Sequence, residues 1–396
     1  MASSASLAIA KRGGFSGGVR GRDRGQADSM CRMMFDTPAH SGTDPATPAL
    51  SLLDVLSGPV RADLLALARP VTFADGAVLL RQGQPTRGAY LLSAGTVEVS
   101  VRLPGGEALA VARIPAGGVL GEMALLERGT CSATVTACSA VAGMFIPCDE
   151  FRLLVARHSP AALALQHAVT TTLCAKLTAL NGRLLAVPVP EDLPYAAPPA
   201  SAEVAAVGAN AADVGFDYRA FLPVLPLFAA WAPADIEQLL AHTRPQSVAR
   251  GQVLFYEGAP AAACFITLRG AVEITAVTAY ADRDGAVAPC LRRLAILGPG
   301  QLLGYRGVLD GVPHSVRACA REASVLLVLP RPAFLALYHG SSAASLGLRA
   351  AVHAALLQAM TRTNATLTRL VNLARLAAAR QDQLESALIE QVVYAS

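Results

Sequence analysis

Between Val71 and Pro147 the apolar positions come in short runs: AVLL, AYLL, TVEVSVRL, ALAVARI, ATVTA and VAGMFI. Turn residues part them. TVEVSVRL alternates strictly, the pattern of a half-buried antiparallel strand. On either side the spacing is helical. Residues 50–67, LSLLDVLSGPVRADLLAL, carry it with a break at Gly58-Pro59, and residues 149–157 and 160–186 carry it again. The order then repeats: FLPVLPLFAAWAPADIEQLLAHT has helical spacing, short strands follow, and from Ala343 to about Val393 the pattern is helical once more.

A glycine ruler marks the two copies. Gly76, Gly83 and Gly95 are spaced 7 and 12 apart, as are Gly251, Gly258 and Gly270. Leu79 and Leu254 sit three residues after the leading glycine in each copy. Each copy then reaches a second cluster, PAGGVLGEMALL at 115–126 and GPGQLLGYRGVL at 298–309. A repeat of roughly 175–183 residues is far longer than a solenoid unit, so one domain has been duplicated. Glycines at fixed intervals between apolar runs mark turns that need positive φ, which predicts a compact β unit for each copy.

These patterns divide the chain into a basic N-terminal tail (1–49) expected to be disordered, a first β domain (50–157), a helix (158–186), a linker (187–216), a second β domain (217–341) and a helical C-terminal segment (342–396). The linker holds prolines 188, 190, 194, 198 and 199, which makes it semi-rigid. The second copy carries eight extra residues near AYADRDGAVAPC, an insertion expected at a hairpin tip. In the C-terminal segment Met360, Leu367, Ala374, Gln381 and Leu388 fall seven apart, with Leu370, Ala377 and Leu384 at the second position of the seam. Two readings are open: a helix that pairs two copies or binds a protein partner, and a helix packed on its own β domains.

Composition narrows the function. At 396 residues and 53% hydrophobic content the chain has room for two or three domains. No run of 18 uncharged apolar residues suggests a membrane span, and MASSASLAIAKRGG lacks the apolar core of a secretory signal. The expected location is cytoplasmic. Residues 1–34 read either as a targeting segment or as an extension upstream of a later start. The net charge of +4 equals that of residues 1–34 alone, where six basic residues meet Asp23 and Asp28. The remaining chain is formally neutral, which gives no electrostatic case for nucleic acid. Lys11 and Lys176 are the two lysines; all other basic residues are arginine. The eight cysteines show no metal-ligand spacing.

The ruler, the segment GVLGEMALL at 118–126 and the following SATV at 132–135 resemble the cyclic nucleotide-binding domain. That family includes bacterial regulators of the catabolite gene activator type and the regulatory subunit of cyclic-AMP-dependent protein kinase. The resemblance covers about residues 52–186 and, more weakly, 219–372. It implies two antiparallel β-rolls, jelly-roll-like, each followed by helices, so the chain is mainly β with helices. It also implies a ligand site in the first copy at Gly121, Glu122, Met123, Ala124, Leu125, Cys131, Ser132 and Ala133. In the family a glycine turn leads into a short helix whose backbone N–H groups face the cyclic phosphate. The glutamate at the Glu122 position accepts from the ribose 2′-OH, and an arginine some nine residues later pairs with the phosphate.

Here that arginine position holds Cys131, which supplies no positive charge. Losing one charge-assisted contact costs about 1.5–3 kcal/mol. Arg128 is a candidate substitute. In the second copy Tyr305 stands at the glutamate position and His314 at the arginine position, so both polar anchors are gone. The sequence therefore reads as a non-catalytic regulatory or sensor protein, with weak binding of a cyclic nucleotide or related ligand in the first domain and a degenerate second domain. The alternatives are a ligand-independent interaction scaffold and, with less support, a transcription-regulator relative. No helix-turn-helix pattern follows the second helix, so DNA binding is not expected. No cofactor and no metal site are expected, and no nucleophile–base pattern points to an enzyme.

Overall fold

The computed structural model describes the backbone of residues 62, 66–102, 106–186, 193–194, 217–281 and 287–394, and side chains within these ranges up to residue 373 except near 193–194 and 279–288. The expected disordered tail and most of the linker lie outside the described residues. In the first half the short apolar runs become eight strands: β1 (Arg69–Phe73), β2 (Val78–Leu80), β3 (Gly88–Ala94), β4 (Thr96–Arg102), β5 (Ala108–Pro115), β6 (Val119–Leu120), β7 (Thr134–Ala137) and β8 (Val141–Pro147). All pairs are antiparallel. They form two four-stranded sheets, ordered β1-β8-β3-β6 and β2-β7-β4-β5, facing one another as a roll. The strict alternation read in β4 gives a half-buried strand in which Val97 alone is fully buried; Glu98, Val99, Ser100 and Val101 are all half buried, and a register shift between Val99 and Ser100 interrupts the period of 2.

After β9 (Leu193–Pro194), the second half repeats the plan with β10 (Arg244–Val248), β11 (Val253–Phe255), β12 (Ala263–Arg269), β13 (Val272–Ala281), β14 (Val287–Leu297), β15 (Leu302–Leu303), β16 (Arg317–Ala320) and β17 (Ser324–Pro330). The orders β10-β17-β12-β15 and β11-β16-β13-β14 match the first roll strand for strand. The extra residues lengthen the β13–β14 hairpin, and β9 from the proline-rich segment pairs along its edge. The six ruler glycines all have φ between +77° and +87°, a region costly to any residue with a Cβ. At Gly270 a methyl would also sit 2.3 Å from Ser324 Oγ, so a residue larger than glycine cannot close this turn.

The helices are α1 (Met123–Leu126), α2 (Cys148–Ala156), α3 (Pro160–Ala186), α4 (Tyr218–Phe221), α5 (Pro233–Leu240), α6 (Tyr305–Asp310), α7 (Arg331–His339) and α8 (Ala343–Tyr394). Helix α3 is apolar on several faces. Ala161, Leu165, Val169, Leu173 and Cys174 are fully buried, the signature of a helix inside a core. One continuous cluster joins α3 to Leu125 and Phe151 of the first half and to Phe334, Val352 and Leu356 of the second. The second half also seals the end of α3. Thr278 donates to the Leu185 carbonyl at 2.8 Å and Arg292 to the Leu184 carbonyl, satisfying acceptors that a helix terminus leaves open.

The heptad stripe of α8 begins in the same core, at Met360. Met360 is 5% exposed and Leu367 is fully buried, both within this chain, while Leu370 is half buried. Two polar pairs fix α8 on α3: Thr170 Oγ1 with His353 Nε2 at 3.0 Å, and Thr363 Oγ1 donating to Asn181 Oδ1 at 3.1 Å. The side chains of Ala374, Ala377, Gln381, Leu384 and Leu388 lie outside the described residues.

Candidate functional site

The first cassette is built on a tight turn. Gly121 has φ +67°, and a Cβ there would lie 2.8 Å from the Gly88 carbonyl oxygen. The chain enters α1 at Glu122, and Ala124 N and Leu125 N close the turn on the Gly121 and Glu122 carbonyls at 3.0 Å. Ala124 and Leu125 are buried against the core and Met123 is half buried beside them, so packing fixes the turn. Cys131 is 9% exposed. Its backbone N–H donates to the Gln84 carbonyl at 2.8 Å, and its thiol lies 3.4 Å from Thr86 Oγ1. Ser132 is exposed and Ala133 half buried.

Two basic residues grip this cassette, and neither belongs to a motif or a periodic pattern of the chain. Lys176 of α3 donates to Glu122 Oε1 at 2.6 Å, and the Glu122 side chain keeps only 11% of its exposure. Lys176 is the single lysine outside the tail, a compositional oddity that was the one available signal. Arg152 of α2 donates to the Ala124 carbonyl at 2.9 Å and caps α1 from the other end. Arg128, the candidate substitute for a phosphate arginine, reaches away: it pairs with Asp149 at 2.9 Å, with both side chains largely exposed. Tyr90 lies in the electrostatic neighbourhood of Cys131. Burial pushes its hydroxyl up, the Cys131 thiol adds to that, and Arg87 opposes it.

The second cassette has the same backbone and different chemistry. Gly304 takes φ +80° and α6 follows. Tyr305 is 6% exposed, and its hydroxyl is raised by desolvation first, beyond the range of water-exposed phenols. His314 is also 6% exposed and stacks on Phe255 with ring centroids 3.7 Å apart. Desolvation lowers the His314 imidazole to about 4, so it is neutral near pH 7. Arg306 turns out of the cassette and onto α3, where it donates to the Cys174 carbonyl at 3.2 Å and to the Thr178 hydroxyl. Both cassettes thus hold α3 within one and a half turns of each other, Glu122 at Lys176 and Arg306 at Cys174 and Thr178. Among the described residues, no group of three or more His, Cys, Asp or Glu side chains is placed to hold a metal, and no helix is long and apolar enough to cross a membrane.

The model of the cyclic nucleotide-binding domain matches residues 70–158 and 245–341. The cyclic AMP receptor protein of Thermus thermophilus is 32% identical over 112 residues, 28% of this chain and 48% of that protein. Glutaminase 1 of Bradyrhizobium diazoefficiens is 33% identical over 133 residues, 34% of this chain and 21% of that protein. The chain therefore spans about half or less of these relatives. The regulatory domain of Toxoplasma gondii PKA, solved with cAMP, is 16% identical, with 80% of this chain and 94% of that one covered at a TM-score of 0.26.

Proposed function

We propose that this chain, which carries two cyclic nucleotide-binding domains in tandem, is a non-catalytic regulatory sensor whose first domain takes a cyclic nucleotide or related ligand weakly and whose second domain has lost that ligand. One observation carries the reading: the two cassettes share a backbone and differ in their anchors. The first keeps Glu122 on a preset turn and has a buried cysteine at 131, which offers no positive charge. The second has buried Tyr305 and a neutral His314 stacked on Phe255. A ribose hydroxyl reaching Glu122 must compete with Lys176. Because Lys176 belongs to α3, and Arg306 of the second cassette donates to α3 at Cys174, ligand entry would be felt at the second domain.

The scaffold reading draws support from the same pair, since Lys176 already satisfies Glu122. Calorimetry of the full chain with cyclic AMP and cyclic GMP separates the two. We expect weak binding by the wild type and roughly a 10- to 150-fold gain in Cys131→Arg, from one charge-assisted contact of about 1.5–3 kcal/mol. His314→Arg should gain little, because Tyr305 offers no carboxylate to the ribose. Tight wild-type binding would show that another residue supplies the charge. Silence in both the wild type and Cys131→Arg replaces the sensor with the scaffold. Dimerisation or partner binding through the distal part of α8, and a cytoplasmic location, belong to the same proposal.

A further inference from the structure

A cavity of about 1200 Å³ lies where the mouth of the second roll faces α3 and α8. Sites for small ligands commonly enclose 300–1000 Å³, mostly apolar with a few placed polar groups. Its floor is a row of small residues on α8, Gly347, Ala350, Ala354 and Ala359 among them. At one end Trp231 lies flat on α8: a methyl on Gly347 would be 2.5 Å from Trp231 Cζ2. At the other end stands Arg362. The two ends are fifteen residues apart on one helix, about 22 Å at 1.5 Å rise per residue.

The charges along this cavity are unevenly committed. Arg306 is held by Cys174 and Thr178; burial raises the Asp310 carboxyl above its ordinary value, and the Arg306 charge opposes this. Glu127 is exposed at the rim. The His314 ring is stacked on Phe255. The Arg362 guanidinium makes no hydrogen bond or ion pair with any described residue. A guanidinium with no ion pair among the described residues, at one end of a long and mostly apolar groove, is complementary to an anion with an apolar tail.

We propose that this cavity binds a long-chain amphiphile with a single anionic head, the head held by Arg362 and the tail lying on the alanine floor toward Trp231. A cyclic nucleotide suits it poorly: the lining offers Tyr305 and His314 where ribose and phosphate would need a carboxylate and a guanidinium. The inference does not depend on nucleotide binding by the first domain. Calorimetry of the full chain with dodecanoate, and with dodecanol as the neutral counterpart, tests it. One dodecanoate should bind per chain, with dodecanol at least tenfold weaker. Arg362→Ala should weaken dodecanoate by roughly 10- to 150-fold and abolish the preference over dodecanol, while Arg362→Lys restores much of it. Cys131→Arg should leave dodecanoate binding unchanged, which separates this site from the first cassette. Ala354→Leu, which narrows the groove, should weaken both probes while thermal melting confirms a folded chain. No binding of dodecanoate to the wild type, equal affinity for the two probes, or an Arg362→Ala variant that binds as well as the wild type would overturn the proposal.

Discussion

Cys131 and His314 stand at corresponding places in the two cassettes, and each leaves its site without a positive charge by a different route. The thiol has none to give. The imidazole could carry one, but burial against Phe255 holds it neutral down to about pH 4. His353 is a second case: desolvation, with Arg349 adding, lowers it to about 3 beneath α3. In the unfolded chain both rings titrate near their ordinary value of about 6.5. The unfolded state therefore binds more protons between about pH 6.5 and 4, so the stability these rings contribute is intact above about 6.5 and is lost as pH falls toward their folded values. For His314 alone the loss between pH 7 and pH 5 is about 2 kcal/mol. Urea unfolding at the two pH values should show a smaller acid penalty in His314→Phe than in the wild type by about that amount. An unchanged pH dependence would mean that His314 meets water in solution.

At the level of elements, α3 is the part on which the others depend. Its circumference is divided among Lys176 facing the first cassette, Arg306 arriving from the second, and Thr170 and Asn181 facing α8. Arg306→Ala removes charge-assisted bonds from this helix and should destabilise the chain by about 1.5–3 kcal/mol in urea unfolding. A neutral outcome would mean that water replaces the guanidinium without loss. The proximal stripe of α8 is buried within the chain, at Met360 and Leu367. Leu367→Ala should cost about 2–5 kcal/mol by opening a cavity there. Light scattering should find the mass of that variant equal to the wild type's, because Leu367 packs within the chain; a halved mass would place the residue in a contact between copies.

For the whole molecule, duplication and divergence have different locations. The roll topology is preserved strand for strand, down to left-handed glycines at the same three ruler turns in each roll. The two rolls differ at the cassettes, where Tyr305 and His314 stand for Glu122 and Cys131, and in the longer β13–β14 hairpin of the second. Each roll keeps a small core of its own, while the largest core runs between them through α3 and α8. A chain with such a shared core should unfold in one cooperative transition, since neither half can expose α3 alone. Calorimetric and van't Hoff enthalpies of thermal unfolding should then agree; two resolved transitions would refute the coupling.

The amino-acid order alone determined the strands, the repeat and the two cassettes. These depend on local requirements: alternation sets which face of a strand is buried, and a turn at φ near +80° selects glycine wherever it recurs. The departures at Cys131, Tyr305 and His314 were equally legible, because residue type alone decides whether a charge is available. Only the tertiary structure decided what each anchor meets. Glu122 and Lys176 are 54 residues apart, Arg306 and Thr178 are 128 apart, and no periodicity links such pairs. The same holds for the heptad stripe, which has one appearance whether it faces a second chain or its own; packing of Met360 into the core shared with α3, and burial of Leu367 within the chain, assigned its proximal part. The cavity beneath Trp231 was hidden for the same reason. Empty space belongs to no residue, and it arises only when α3, α8 and the second roll are brought together.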